Sequence, residues 1–180
     1  MIIRGGGLGA GSRMDGHHCA IFPANGANTP VEIFESDTPL IVEERSLVCN
    51  SGGPGKMRGG LGRKMTIRVP DDDYAPQGPT SIAVQAGRYK YAPRGLFGAG
   101  PGTGARFLVN ELSADPSGLT LCLPGDVIKF ESAGGGGYGD PLQRDPEAVA
   151  ADVVNGYVSI EKARDDYGVV IDTGCWMYDA

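Results

Sequence analysis

Apolar and polar positions along this chain fall into short runs, and clusters of glycine and proline interrupt them roughly every 10 to 20 residues. Strict alternation over four to eight residues marks a half-buried strand. On that basis Val31–Glu35 reads as extended, with Val31 and Ile33 on one face and Glu32 and Phe34 on the other. Pro39–Val48, Lys64–Val69, Ser81–Ala86 and Arg106–Asn110 read the same way. Leu119–Leu123 and Asp126–Glu131 read as a hairpin turned by Pro124-Gly125. Only the tail has helical punctuation. Asp145 is an N-cap followed by Pro146 at the first helical position and Glu147 beside the helix dipole, and Gly156 marks a stop. Ser159 caps a second helix that runs to Gly168, with Ile160, Ala163 and Tyr167 on its apolar side. The predicted class is mainly β with glycine-rich loops and a C-terminal helical hairpin, an α+β arrangement. Residues 1–140 form a glycine-rich β domain and 141–180 the helical hairpin and tail.

Composition changes this picture at the loops. Glycine supplies 30 of 180 residues, about twice its usual share of ~7%, without a three-residue period, while 41% of the chain is still apolar. That excludes collagen and disfavours simple disorder. The glycines concentrate in Gly5–Gly16, Gly52–Gly62, Gly95–Gly104 and the run Gly134-Gly135-Gly136-Gly137-Tyr138-Gly139. Ordering such loops costs more backbone entropy than ordering any other kind, so they are expected to be buried against something, within an oligomer or hetero-complex. The run at Gly134 admits two roles. It is either a nest of N–H groups for an anion or substrate carbonyl, or a turn packed closely on another part of the fold or a partner. It is neither a Walker loop nor a dinucleotide fingerprint. Gly134, Gly135, Gly136, Gly137 and Tyr138, with the loop cations Arg58 and Arg94, are therefore the candidate substrate-binding or loop-contact residues.

A net charge of −6 with scattered Lys and Arg argues against a nucleic-acid partner. No 18-residue apolar run and no signal-peptide core is present, so a cytoplasmic protein without a membrane association is expected. Cys19, Cys49, Cys122 and Cys175 stand far apart and read as reduced thiols. His17 and Cys19 share a face if their segment is extended, which makes them weak metal candidates, but a site there would need a further ligand. No nucleophile–base set and no carboxylate pair can be assembled.

Several motifs occur in one order: Asn28-Thr29-Pro30-Val31-Glu32, Asn50-Ser51-Gly52-Gly53-Pro54-Gly55 with Arg58-Gly59-Gly60-Leu61-Gly62, Arg94-Gly95-Leu96-Phe97-Gly98-Ala99-Gly100-Pro101-Gly102, Pro124-Gly125-Asp126, and Gly134–Pro141 followed by Asp145-Pro146-Glu147. Together they resemble the C-terminal part of the hydantoinase B/5-oxoprolinase family. The resemblance implies a subunit or C-terminal domain of an ATP-dependent cyclic-amide hydrolase that is not catalytic alone. A subunit of an ATP-dependent ketone carboxylase and a non-catalytic assembly module are the alternatives. It also implies a hydantoinase A type subunit and the remaining B-type segment as partners, in a hetero-oligomer. ATP and a divalent metal are expected in the full complex, with no cofactor on this chain alone. Family members are several times longer, so the chain is expected to be a fragment or a small separate subunit.

Overall fold

The computed structural model describes residues 5–21, 29–73, 75–84 and 87–172. Arg63–Arg68 (β2) and Val127–Glu131 (β7) alternate as expected, and they pair antiparallel, Met65 opposite Phe130 and Ile67 opposite Ile128. Ile41–Leu47 (β1) flanks β2, and Arg106–Val109 (β4) and Leu112–Ser113 (β5) continue beyond β7, giving the order β1-β2-β7-β4-β5. Period-two alternation then sorts the side chains by face. One face carries Met65, Ile67, Phe107, Ile128 and Phe130, with the Phe107 and Phe130 rings stacked at 4.9 Å. The other carries charges: Lys64 pairs with Glu44 at 2.7 Å and Arg68 with Glu43 at 2.9 Å.

Two elements cover the apolar face. A second sheet, Thr80–Ala83 (β3) with Leu119–Cys122 (β6), packs Ile82 and Cys122 onto Val69, Phe107 and Ile128. The expected hairpin of Leu119–Leu123 with Asp126–Glu131 is thus corrected, because β6 pairs with β3 and β7 with β2 and β4. Pro124-Gly125 makes a corner between sheets instead of a hairpin turn. Gly125 takes φ 89°, and Asp126 fixes the corner by accepting from Leu123 N through its carboxylate at 2.7 Å. A turn signal specifies a reversal, and burial decides which sheet each arm joins.

The second covering element is Val31–Asp37, which is an α-helix (α1) and not the predicted strand. Five residues cannot distinguish the two periods. Pro30 at the helix start fits helical φ, Glu32 favours the dipole, and the helix buries Phe34 against Met65 and Ile67 while Ile33 stays exposed. Strand β3 covers the predicted Ser81–Ala83, and residues 85 and 86 of that prediction lie outside the described ones, as do Asn28 and Cys175.

The tail follows its punctuation. Pro146–Val154 (α2) is capped by the Asp145 carboxylate accepting from Glu147 N at 3.0 Å, and Ile160–Tyr167 (α3) by Ser159. Gly168 ends α3 at φ 69° with Val169 N donating to Ala163 O at 3.0 Å, the 6→1 bond of a Schellman close. Val149, Val158, Ala163 and Tyr167 form the hairpin's own core, whereas Ile160, expected on the apolar side, is 42% exposed.

The four glycine segments meet between these parts. Residues 133–139 run through the centre, and their neighbours are the other loops. Gly134 N donates to Thr103 O, Gly135 N to Gly60 O and Gly137 N to Gly100 O, while Ala10 N and Gly53 N donate back to Gly136 O and Gly135 O. Bonds leave one segment for several others, so this is a bundle of extended chains and not another sheet. Its spacing forbids side chains: a Cβ would lie 1.8 Å from Ser51 O at Gly134, 1.9 Å from Leu8 O at Gly135 and 2.0 Å from Arg94 O at Gly136. Gly135→Ala is therefore expected to lower stability by more than about 3 kcal/mol, since backbone cannot yield as a side chain does. Gly78→Ala, where a Cβ meets nothing within 4 Å, is expected to change stability by less than about 1 kcal/mol. Thermal and urea unfolding of both variants check this.

Candidate functional site

Two features flank the glycine bundle. The first is a cleft of about 910 Å³ bordered by the small sheet, α1 and one end of the large sheet's apolar face, and its lining residues Phe34, Met65 and Ile67 are themselves buried. Its floor includes Phe34, Leu40, Met65, Ile67 and Phe130, and one wall is glycine backbone, Gly5–Gly9 with Gly135 and Gly136. Arg63, Arg88, Arg94 and Arg106 also line it, against Glu131 as the acid among the described lining residues. Arg63 is buried, and the other three cations stand at the rim. Arg88 and Arg94 are exposed, and Arg106 is 71% exposed with Nη1 3.9 Å from Glu131 Oε2. An apolar floor under a cationic rim suits a molecule with an apolar body and an anionic or strongly polarised oxygen.

The second feature is a buried ion cluster on the opposite side, where the bundle meets the helical hairpin. Arg58 donates from Nε to Asp152 Oδ2 at 3.0 Å, and Arg144 Nη2 reaches the same oxygen at 2.8 Å. Arg144 also grips Asp15 with two bonds of 2.8 Å, and Asp15 Oδ1 accepts from Arg58 N at 2.7 Å. The Arg58 and Arg144 side chains are each 4% exposed and Asp152 9%. Burial opposes ionisation of Asp15, but the hydrogen bond and charge of Arg144, together with Arg58, outweigh it and hold its carboxyl below the usual range. Around the cluster the Arg58 guanidinium sits 5.3 Å from the Tyr157 ring centre, and His18 lies tilted on the same ring at 4.7 Å. His18 Nδ1 accepts from Leu61 N at 2.9 Å, and burial and then the Arg58 charge push its pKa down. Tyr167, desolvated in the hairpin core, is pushed up to about 12.

The candidate residues named from sequence separate accordingly. Gly135, Gly136 and Arg94 come together in the cleft wall. Gly134 and Gly137 lie in the bundle, donating their N–H groups to Thr103 and Gly100. Tyr138 exchanges backbone bonds with Met57 and packs its ring 5.0 Å from Phe97. Arg58 belongs to the ion cluster, away from the cleft lining. His17 is exposed and Cys19 Sγ lies 3.9 Å from Leu61 O. Among the described residues no three His, Cys, Asp or Glu side chains gather closely enough to hold a metal ion, and no helix is long and apolar enough to cross a membrane. Asp15, Arg144, Asp152 and Tyr157 carry no motif that singles them out in the sequence, and His18 stands there only as the neighbour of His17 that faces away from Cys19 on an extended segment. Asp152 alone carried a signal there, as an acid interrupting the apolar run Ala148–Val154.

The sequence pattern that defines hydantoinase B/oxoprolinase matches residues 1–141. The chain belongs to the hydantoinase B/oxoprolinase family. Caprolactamase subunit beta of Pseudomonas jessenii is 36% identical over 179 residues, which is 92% of this chain and 30% of that protein. The crystal structure of the ATP-dependent caprolactamase from the same organism superposes with a TM-score of 0.71 at 30% identity, over 95% of this chain and 30% of that one. The nucleotide-free structure of acetone carboxylase superposes with a TM-score of 0.75 at 27% identity, covering 94% of this chain and 27% of that one. The chain thus spans less than a third of the length of those relatives.

The ion cluster makes a prediction about acid stability. A carboxyl held low in the fold contributes stability that is complete above its unfolded pKa of ~3.9 and is lost as pH falls through the folded value. His18, also depressed, adds a loss that begins as pH drops below ~6.5. The melting temperature is therefore expected to fall in two stages, and His18→Asn, whose Oδ1 can still accept from Leu61 N, is expected to flatten only the upper stage. Asp152→Ala, which leaves two buried guanidiniums sharing the one carboxylate of Asp15, with Arg58 reaching it at 3.9 Å, is expected to cost about 3–5 kcal/mol in urea unfolding at pH 7.

Proposed function

We propose that this chain is the substrate-facing C-terminal part of a B-type subunit in an ATP-dependent cyclic-amide hydrolase, acting together with a hydantoinase A type subunit and the remaining B-type segment in the cytoplasm. The observation that carries the reading is the cleft, where glycine backbone, apolar lining residues and the exposed Arg88, Arg94 and Arg106 converge in a family whose relatives include an ATP-dependent caprolactamase. A lactam or hydantoin ring has an apolar body and an amide oxygen that gains negative charge when the carbonyl is activated or attacked. Arg94 and its neighbours are suited to stabilise such an oxygen, and the glycine wall lets backbone approach the ring closely.

ATP and the divalent metal are assigned to the rest of the complex. The described residues of this chain do not fit them: no carboxylate–histidine group is gathered, and Gly134, Gly135 and Gly137 already donate their N–H groups to carbonyls. Among the described residues the cleft holds no nucleophile paired with a base. Glu131 is its one described acid, so this chain holds and orients substrate and the reacting groups come from elsewhere. The ketone carboxylase reading rests on the acetone carboxylase superposition, whose TM-score of 0.75 exceeds the 0.71 of the caprolactamase structure, whereas sequence identity, 30% to the caprolactamase structure against 27%, supports amide hydrolysis. A non-catalytic assembly role predicts that changes in the cleft affect assembly and leave turnover intact.

Turnover of ATP-coupled lactam or hydantoin opening, measured on the chain alone and on the assembled complex, tests these readings. The chain alone is expected to be inactive. In the complex Arg94→Ala is expected to lower kcat/KM by tenfold or more, about 1.4 kcal/mol, with assembly by light scattering unchanged. Unchanged kcat/KM for Arg94→Ala, or ATP-coupled carboxylation of a ketone in place of ring opening, would overturn the proposal.

A further inference from the structure

The small sheet is built with its larger apolar load on the outside. Along β6 the residues alternate as Leu119-Thr120-Leu121-Cys122-Leu123, and the fold buries Cys122 while leaving Leu119 67%, Leu121 62% and Leu123 58% exposed. A one-residue slip would turn these leucines toward the core, and register is normally set by burying the more apolar set. Here the pairing holds the leucines out. On β3 the residues opposite are Ala83, facing Leu119, and Ser81, facing Leu121, both small, uncharged and exposed. The result is a ridge of three leucines about 7 Å apart beside the small residues of β3, with no charge among the described strand residues of that face.

We propose that this leucine face is the surface on which the remaining B-type segment packs, as a third layer over the small sheet. This rests on the family reading above and adds the place of attachment. Three observations select that occupant. The chain spans 30% of the caprolactamase subunit, so a subunit of that length has more than twice as much polypeptide still to be packed against it. A leucine-rich face free of charge has the character of a permanent interface, resembling a domain core cut in two, and not of a transient contact between subunits. Finally, a two-stranded sheet is marginal alone, and among the described residues the apolar packing of this one is on its inner face, through Ile82 and Cys122. A layer on the outer face completes it.

The test places a photo-crosslinking amino acid at Leu121 in the full chain, expressed in its own host with an affinity tag, and maps the crosslinked peptides by mass spectrometry. The expected product joins position 121 to hydantoinase B sequence outside residues 1–180, whether in the same polypeptide or a separate one. Where that segment is a separate polypeptide, Leu121→Arg is expected to reduce its recovery at least tenfold, and where it is the same polypeptide, to speed proteolytic cleavage between the two at least tenfold, while leaving the melting temperature of residues 1–180 alone within about 3 °C, because the side chain is exposed. A crosslink to a second copy of residues 1–180, to an A-type chain or to a protein of another family overturns the proposal. So does Leu121→Cys that reacts with maleimide as fast in the purified complex as in the isolated chain. The functional reading fails separately: if the complex crosslinks as expected but opens no cyclic amide with ATP, the docking surface stands and the activity does not.

Discussion

The structure depends on backbones that approach one another with no side chain between them. Residues 133–139 are surrounded by the segments around Leu8, Gly53, Gly60 and Gly100, and the oxygens of Ser51, Leu8 and Arg94 stand where Cβ atoms would be. Ordering so much glycine is entropically costly, and what offsets it is hydrogen bonding between buried main-chain groups that would otherwise be desolvated and unpaired. The loops satisfy one another. The burial expected of them is supplied within the chain, which separates the question of how they are ordered from the question of which partners the chain has.

The bundle also decides where chemistry can occur. On one side it closes against the helical hairpin through Arg58, Arg144, Asp15 and Asp152, a cluster that is costly to bury and is stable because nearly every charge has a partner. Asn50 adds a neutral tie, accepting from Ser159 N at 2.8 Å while donating its own N–H to Tyr157 O. The bundle also forms a wall of the cleft, beside the exposed Arg88, Arg94 and Arg106. The same glycines thus fix the helices and shape the candidate substrate surface.

Much of this could be read from the residues. β1, β2, β4, β7 and both tail helices were legible because their alternation or capping residues act locally, as Asp145-Pro146 and Ser159 show. The motif order was enough to identify the family, and the glycine run was correctly a place of close approach. What escaped was non-local. Val31–Asp37 is helical because Phe34 has an apolar face to cover, and Leu119–Leu123 left its expected partner because Ile82 and Val69 offered better burial for Cys122. The ion cluster joins residues 43, 94 and 129 positions apart, a distance over which sequence spacing carries no information. The cleft draws on residues from Gly5 to Gly136, and Arg94 could be singled out only as a cation beside glycine.

Native-state hydrogen exchange on the isolated monomer tests the central claim most directly. If the glycine segments order one another, the amides of Gly53, Gly60, Gly135 and Gly137 exchange as slowly as those of β2 and β7, near the limit set by global unfolding. Exchange of these amides at the rate of unstructured peptide in a monomer whose β2 and β7 remain protected, slowing only when a partner is added, would contradict it.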